Sequence, residues 1–162
     1  MSAPSRTDEA LREQLIELLQ SGHAHITLEQ AVKNFPHDKL GLRPPGAPHS
    51  AWELLEHMRI AQNDILRFSQ SAAYVSPKWP EGYWPESPAP KSKQEWNESV
   101  HAFREDLAAF AALLRDPAHD LYKRIPWGDG QTLLREALLA ADHNAYHLGQ
   151  LILVRRLLGA LD

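Results

Sequence analysis

The sequence has no cysteine among its 162 residues, which excludes disulfide bonds, thiolate metal sites, iron–sulfur clusters and a cysteine nucleophile. Basic residues are also in the minority: 17 Lys and Arg against 21 Asp and Glu give a formal net charge of −4. With no Lys/Arg run either, the composition argues against a nucleic-acid partner. No apolar run approaches the roughly 20 residues that span a bilayer, and residues 1–12 contain no apolar signal region. These absences predict a cytoplasmic protein without a membrane partner.

What the chain does contain is typical of one globular domain. Hydrophobic residues make up 43% of the sequence and charged residues 23%, which is sufficient for a buried core. A length of 162 residues favours a single domain, which we assign to residues 1–162.

The 12 prolines divide the chain into segments. Because proline interrupts helix interiors, long helices are confined to the segments without it. Capping-box patterns begin at Thr27, Ser50 and Ser92, and Gly159 follows the last apolar run. We predict helices over residues 7–20, 27–35, 50–70, 92–115 and 131–158.

The expected fold class is all-α. β-Branched residues are sparse and do not alternate with polar ones, so a sheet is not expected. Four long amphipathic helices bury their apolar stripes most simply against one another. The prediction is an antiparallel four-helix bundle with an extra short helix and proline-rich connecting loops. The segment 71–90 carries Trp79, Tyr83 and Trp84, which we interpret either as a structural lid over the bundle or as a wall of a ligand pocket.

Nine histidines are the most unusual feature of the composition, and three of them are suited to bind a metal ion. His143 and His147 are spaced i, i+4, so both imidazoles lie on one side of the last helix and can reach the same ion. His57 borders the inward face of the helix over 50–70. Three nitrogen ligands leave coordination positions open, as in reactive metal sites. The alternatives are a hydrogen-bonded core histidine at position 57 and a surface pair at 143 and 147.

The segments Trp52-Glu53-Leu54-Leu55-Glu56-His57 and Asp142-His143-Asn144-Ala145-Tyr146-His147-Leu148-Gly149-Gln150-Leu151 resemble those of the DinB-like superfamily, which includes YfiT-type and thiol-transferase branches. The resemblance implies a metal-binding helical bundle whose ligands match His57, His143 and His147. It also implies a divalent ion, zinc or nickel, and a homodimer.

The resemblance suggests the first of three functions that stay open. One is a metal-dependent S-transferase whose small-molecule substrate is a low-molecular-weight thiol, activated as the nucleophile. A metal-dependent hydrolase would use the same ligands. A non-catalytic metal- or ligand-binding protein of the stress response is the third.

Two further features complete the predictions. Glu53, Asp64 and Glu136 lie one or two helical turns from the histidines and are candidates to orient a ligand or to act as a general base. The last helix also carries a second apolar stripe, which favours either a homodimer interface or a central position in the bundle. The stripe consists of Leu139, Tyr146, Leu153 and Leu157.

Overall fold

The computed structural model describes residues 6–21 and 24–161, and within these ranges the chain is helical and contains no strand. The helices are α1 (Arg6–Gln20), α2 (Leu28–Val32), α3 (Ala51–Gln70), α4 (Lys93–Arg115) and α5 (Leu133–Leu157). One 3-10 turn, His37–Lys39, lies between α2 and α3, and another, Glu81–Tyr83, lies between α3 and α4. The predicted all-α class is confirmed. None of the helices in the described ranges is both long and apolar enough to cross a membrane.

The helices begin where their capping residues predict. Thr27 and Ser50 each form a complete capping box with the residue three positions on. Ser92 accepts a hydrogen bond from the Glu95 amide, but the Glu95 carboxylate accepts from the Lys91 amide instead of closing the box. α2 ends at Val32, earlier than the predicted residue 35, because the chain turns through Asn34 with a φ of 54°.

Contacts between helices give their relative directions. Glu56 pairs with Ser99 of α4, and Asn63 further along α3 pairs with Asp106 further along α4, so these two helices run the same way. By contrast, Gln62 of α3 contacts Asn144 of α5, while the earlier His57 contacts the later His147. α3 and α5 are therefore antiparallel. The predicted antiparallel packing does not extend to the α3–α4 pair.

The connection between α3 and α4, residues 71–92, explains why these helices can run in parallel. It returns along the whole of α3: the Tyr83 hydroxyl donates to Asp64 at 2.7 Å, and the Ser50 hydroxyl donates to the Pro88 carbonyl at 2.5 Å. α4 can therefore begin beside the start of α3. A short turn would have forced the two helices to be antiparallel.

The buried side chains form two clusters along the helices. One surrounds the first half of α3, where Leu54, Leu55 and Met58 are almost completely buried. The other lies between α1, the end of α4 and the start of α5, with Phe110 and Leu114 at its centre. His57 belongs to the first half of α3, so packing on both sides holds its backbone in place.

Two buried arginines attach irregular segments to the helices. Arg12 of α1 donates to the carbonyls of Leu114 and His119 at the end of α4, at 2.6 and 2.7 Å. Arg155 of α5 donates to the carbonyls of Ala31 and Lys33 around the end of α2, at 2.5 and 2.7 Å. Both guanidinium groups thus satisfy carbonyls that a helix end leaves without partners.

Candidate metal centre

Three imidazoles converge between α3 and α5. His57 comes from α3, and His143 and His147 come from successive turns of α5. One nitrogen from each ring can be chosen so that all three lie within 4.8 Å of one another. The Nε2 atoms of His57 and His143 are 3.1 Å apart. The structure thus brings together the three histidines that the sequence singled out.

Hydrogen bonds orient two of the three rings. Nδ1 of His57 donates to the Tyr83 carbonyl at 2.8 Å, and Nδ1 of His147 donates to Oε1 of Gln150 at 2.8 Å. Because each Nδ1 faces an oxygen acceptor, it carries the proton and leaves Nε2 available as a ligand. Nδ1 of His143 and Oδ1 of the adjacent Asn144 are both buried with no partner among the described residues.

The surroundings keep these imidazoles neutral. Burial, together with the smaller effect of the neighbouring His147 and His57 rings, lowers the pKa of His143 to about 4. Burial also lowers the pKa of His57 and that of His147. A neutral imidazole presents the lone pair that a metal ion requires, so protons compete weakly for the site at neutral pH.

The donor set fits a divalent metal ion. Zinc–imidazole bonds are about 2.0–2.1 Å long, so two nitrogens on one ion lie roughly 3 Å apart when the angle between them is between square and tetrahedral. The 3.1 Å between Nε2 of His57 and Nε2 of His143 matches that separation. Imidazole ligands suit zinc, nickel, copper and iron, so the donor set leaves the choice among them open.

Trp84 and Tyr146 contact the triad, and His49 packs behind Trp84, which belongs to the segment that the sequence predicts as a lid or a pocket wall. The Trp84 indole stacks on His57 with ring centroids 3.9 Å apart and on His49 with centroids 4.0 Å apart, so it lies between two imidazoles. His49 lies just before the Ser50 cap of α3, outside the helix that carries His57. Tyr146 adds an edge-to-face contact with His147 at 4.8 Å.

The three candidate carboxylates bond to residues outside the triad. Glu53 accepts from Arg43 at 2.8 Å; its burial would raise its pKa, but the bonds from Arg43 and Ser50 outweigh burial and lower it. Asp64 accepts from the Tyr83 hydroxyl, and Glu136 accepts from Arg135 at 2.7 Å. Asp64 is thus linked to the site through Tyr83, whose carbonyl accepts from His57.

The fold and the site together define a helical protein with a three-histidine candidate metal centre. The family model of the DinB superfamily matches residues 23–151, a range that contains all three histidines. The chain belongs to the DinB superfamily. Comparison with curated proteins and comparison with solved structures each gave no match.

Proposed function

We propose that the protein binds one divalent metal ion, zinc or nickel, through Nε2 of His57, His143 and His147. The observation that carries this proposal is the convergence of three neutral imidazoles, two of which have Nδ1 committed to an oxygen acceptor. Such an arrangement is typical of ligands held ready for an ion.

We propose further that the centre is catalytic and transfers a low-molecular-weight thiol to an electrophilic small molecule. When bound, a divalent ion lowers the pKa of a coordinated thiol or water and polarises a substrate atom. Three imidazole ligands would leave coordination positions open for substrate. The absence of cysteine requires the thiol to arrive as a cosubstrate. The indole of Trp84 shields one face of His57 from water.

Elemental analysis tests the metal site. The protein, purified without an affinity tag or chelator, should contain about one equivalent of zinc or nickel per chain, and the His57/His143/His147 triple-alanine variant should contain none. A matched control replaces His37, His101 and His119, three exposed histidines, by alanine and should retain the metal. Equal metal content in both variants, or no metal uptake by the wild type, would overturn the proposed site.

Activity assays then test the reaction. The loaded protein is incubated with a small thiol and an electrophilic acceptor, and separately with ester and amide substrates in the absence of thiol. Thioether formation that the His147→Ala variant cannot catalyse supports thiol transfer. Hydrolysis alone would assign the same ligands to a hydrolase, and inactivity in both assays with metal bound would favour a non-catalytic binding role.

We also propose that the four long helices form a four-helix bundle and that two copies pair through α5. Tyr146, Leu153 and Leu157 of the predicted stripe are each more than half exposed, at 64%, 55% and 57%. Leu139 instead is partly buried and packs against the cluster around Phe110 and Leu114. Its neighbour Leu138 is 47% exposed. An exposed apolar stripe on one helix is typical of a protein–protein contact.

A further inference from the structure

Tyr83 and Trp84, adjacent in the connection between α3 and α4, contact His57 in two different ways. The Tyr83 carbonyl accepts the Nδ1 proton at 2.8 Å. The Trp84 indole lies on the imidazole with centroids 3.9 Å apart and an interplanar angle of 1°. One residue therefore contacts the edge of the ring and the next covers its face.

These contacts restrict the two freedoms that a histidine ligand retains once its backbone is fixed. One freedom is which nitrogen carries the proton, and the carbonyl decides this because it can only accept. The other is the ring plane, since the last torsion of a histidine is broad. A parallel indole at van der Waals distance restricts that rotation. His49 on the opposite face of Trp84, 4.0 Å away, keeps the indole from moving off.

His57 depends on this connection in a way that the other two histidines do not. His143 and His147 lie on one helix, and the acceptor of His147, Gln150, belongs to the same helix. α5 therefore supplies the acceptor for His147 from its own residues, and Trp84 meets that ring only edge-on, with centroids 6.3 Å apart. His57 obtains both its hydrogen-bond acceptor and its stacking partner from outside α3.

The connection is itself anchored to α3 beside these contacts. The Tyr83 hydroxyl donates to Asp64 at 2.7 Å, two turns along the helix from His57. Burial and the Asp64 carboxylate both raise the pKa of Tyr83, so the phenol keeps its proton and the bond is maintained across the neutral range.

We propose that Tyr83 and Trp84 are positioning residues for His57, so that the metal affinity of the centre depends on how this connection docks on α3. This inference rests on the proposed metal site, and it adds that a segment contributing no ligand sets the geometry of one. Residues that orient a metal ligand typically account for about 10–100-fold in metal affinity.

The test measures nickel affinity by competition with a chromogenic chelator for the wild type and four variants. Trp84→Ala and Trp84→Leu remove the flat ring, and we expect each to bind nickel about 10–100-fold more weakly. Trp84→Phe retains a flat ring and should recover most of that loss. Trp127→Ala is the control, because Trp127 lies outside this connection and donates to the Phe68 carbonyl at the far end of α3.

The outcomes separate this inference from the metal site itself. No nickel binding by the wild type would refute the metal site, whereas wild-type binding with equal affinity in Trp84→Leu would refute only the positioning role. A loss of affinity in Trp127→Ala as large as that in Trp84→Leu, or a nickel affinity of Trp84→Phe no higher than that of Trp84→Leu, would also refute it. Thermal unfolding of the metal-free variants identifies any that do not fold, and the Leu–Phe comparison decides the case if Trp84→Ala is among them.

Discussion

At the scale of single residues, the candidate centre consists of side chains held neutral and ready to bind. Burial disfavours the charged form of His143 more than that of an exposed imidazole. His57 and His147 are shifted in the same direction, mainly by burial. In the folded protein these histidines therefore stay unprotonated at pH values where the same residues would bind protons in an unfolded chain.

This difference in proton binding between the folded and unfolded chain makes the stability of the metal-free protein depend on pH. Between the ordinary histidine pKa of 6.5 and the folded value of about 4 for His143, the unfolded chain binds a proton that the folded chain does not. We expect the free energy of unfolding to fall as the pH decreases from 7 to 4. Urea unfolding in the presence of a chelator, at a series of pH values, measures this. His143→Gln should show a shallower pH dependence, and an unchanged slope would contradict the assignment.

At the scale of elements, the start of α3 is where several segments meet. Ser50 caps the helix and also donates to the Pro88 carbonyl, and the Trp52 amide donates to the Leu40 carbonyl at 3.0 Å. The segment before α3 and the end of the 71–92 connection are thus both attached to its first turn. The position of His57, less than two turns further along, depends on the same attachment.

Removing two N-cap hydroxyls should therefore have unequal effects. Ser50→Ala loses a cap, worth about 1 kcal/mol, and the bond to Pro88, worth about 1 kcal/mol more. Ser92→Ala loses only a cap, at a site where the backbone is exposed. We expect the free energy of unfolding to decrease about twice as much in Ser50→Ala, by roughly 2 kcal/mol, as measured by chemical denaturation. Equal losses would show that the Pro88 contact contributes nothing.

The elements were largely predictable from sequence, and the complete site was not. Proline-free segments and capping residues determined the helix bounds, since both act within one or two turns. The i, i+4 spacing placed His143 and His147 together, and the inward position of His57 on its helix made it a candidate third ligand, which the family resemblance then supported. The sequence assigned Trp84 only to a lid or a pocket wall and did not predict its stacking between His57 and His49, because irregular segments have paths without periodicity.

At the scale of the whole molecule, the candidate ligands connect parts of the chain that are distant in sequence. His57 and His147 are 90 positions apart and lie on antiparallel helices. An ion between them would bind the folded chain and not the unfolded one, whose histidines are dispersed. Metal binding and folding are therefore linked by mass action.

This linkage predicts metal-dependent stability. At a free ion concentration of 100 times the Kd, the free energy of unfolding should rise by about 2.7 kcal/mol. Differential scanning calorimetry with and without nickel or zinc measures the accompanying increase in Tm. His147→Ala should show little increase, whereas the exposed His101→Ala should respond as the wild type does. Equal metal-dependent increases in both variants would locate the binding elsewhere.

The proposed pairing through α5 also belongs to this scale. We expect Leu153→Glu, alone or with Tyr146→Glu, to convert a dimer into a monomer because a charge cannot be buried unpaired in an apolar contact. Sedimentation equilibrium measures the mass of each form. Val75→Glu is the matched control, since Val75 is 85% exposed on the 71–92 connection. A wild-type monomer, or a dimer that Leu153→Glu leaves intact, would refute the pairing.

The parallel course of α3 and α4 has a consequence for protein engineering. A designer who wished to simplify this chain would first replace the 71–92 connection, which has only one short 3-10 turn of regular structure, with a flexible linker. Such a linker would span the distance from the end of α3 to the start of α4 but would leave His57 without its hydrogen-bond acceptor and its stacking partner. The redesigned protein would retain its helices and lose the alignment of His57 with the other two imidazoles. A redesign should therefore keep the 71–92 connection, because this irregular segment orients a candidate metal ligand and is not a simple spacer.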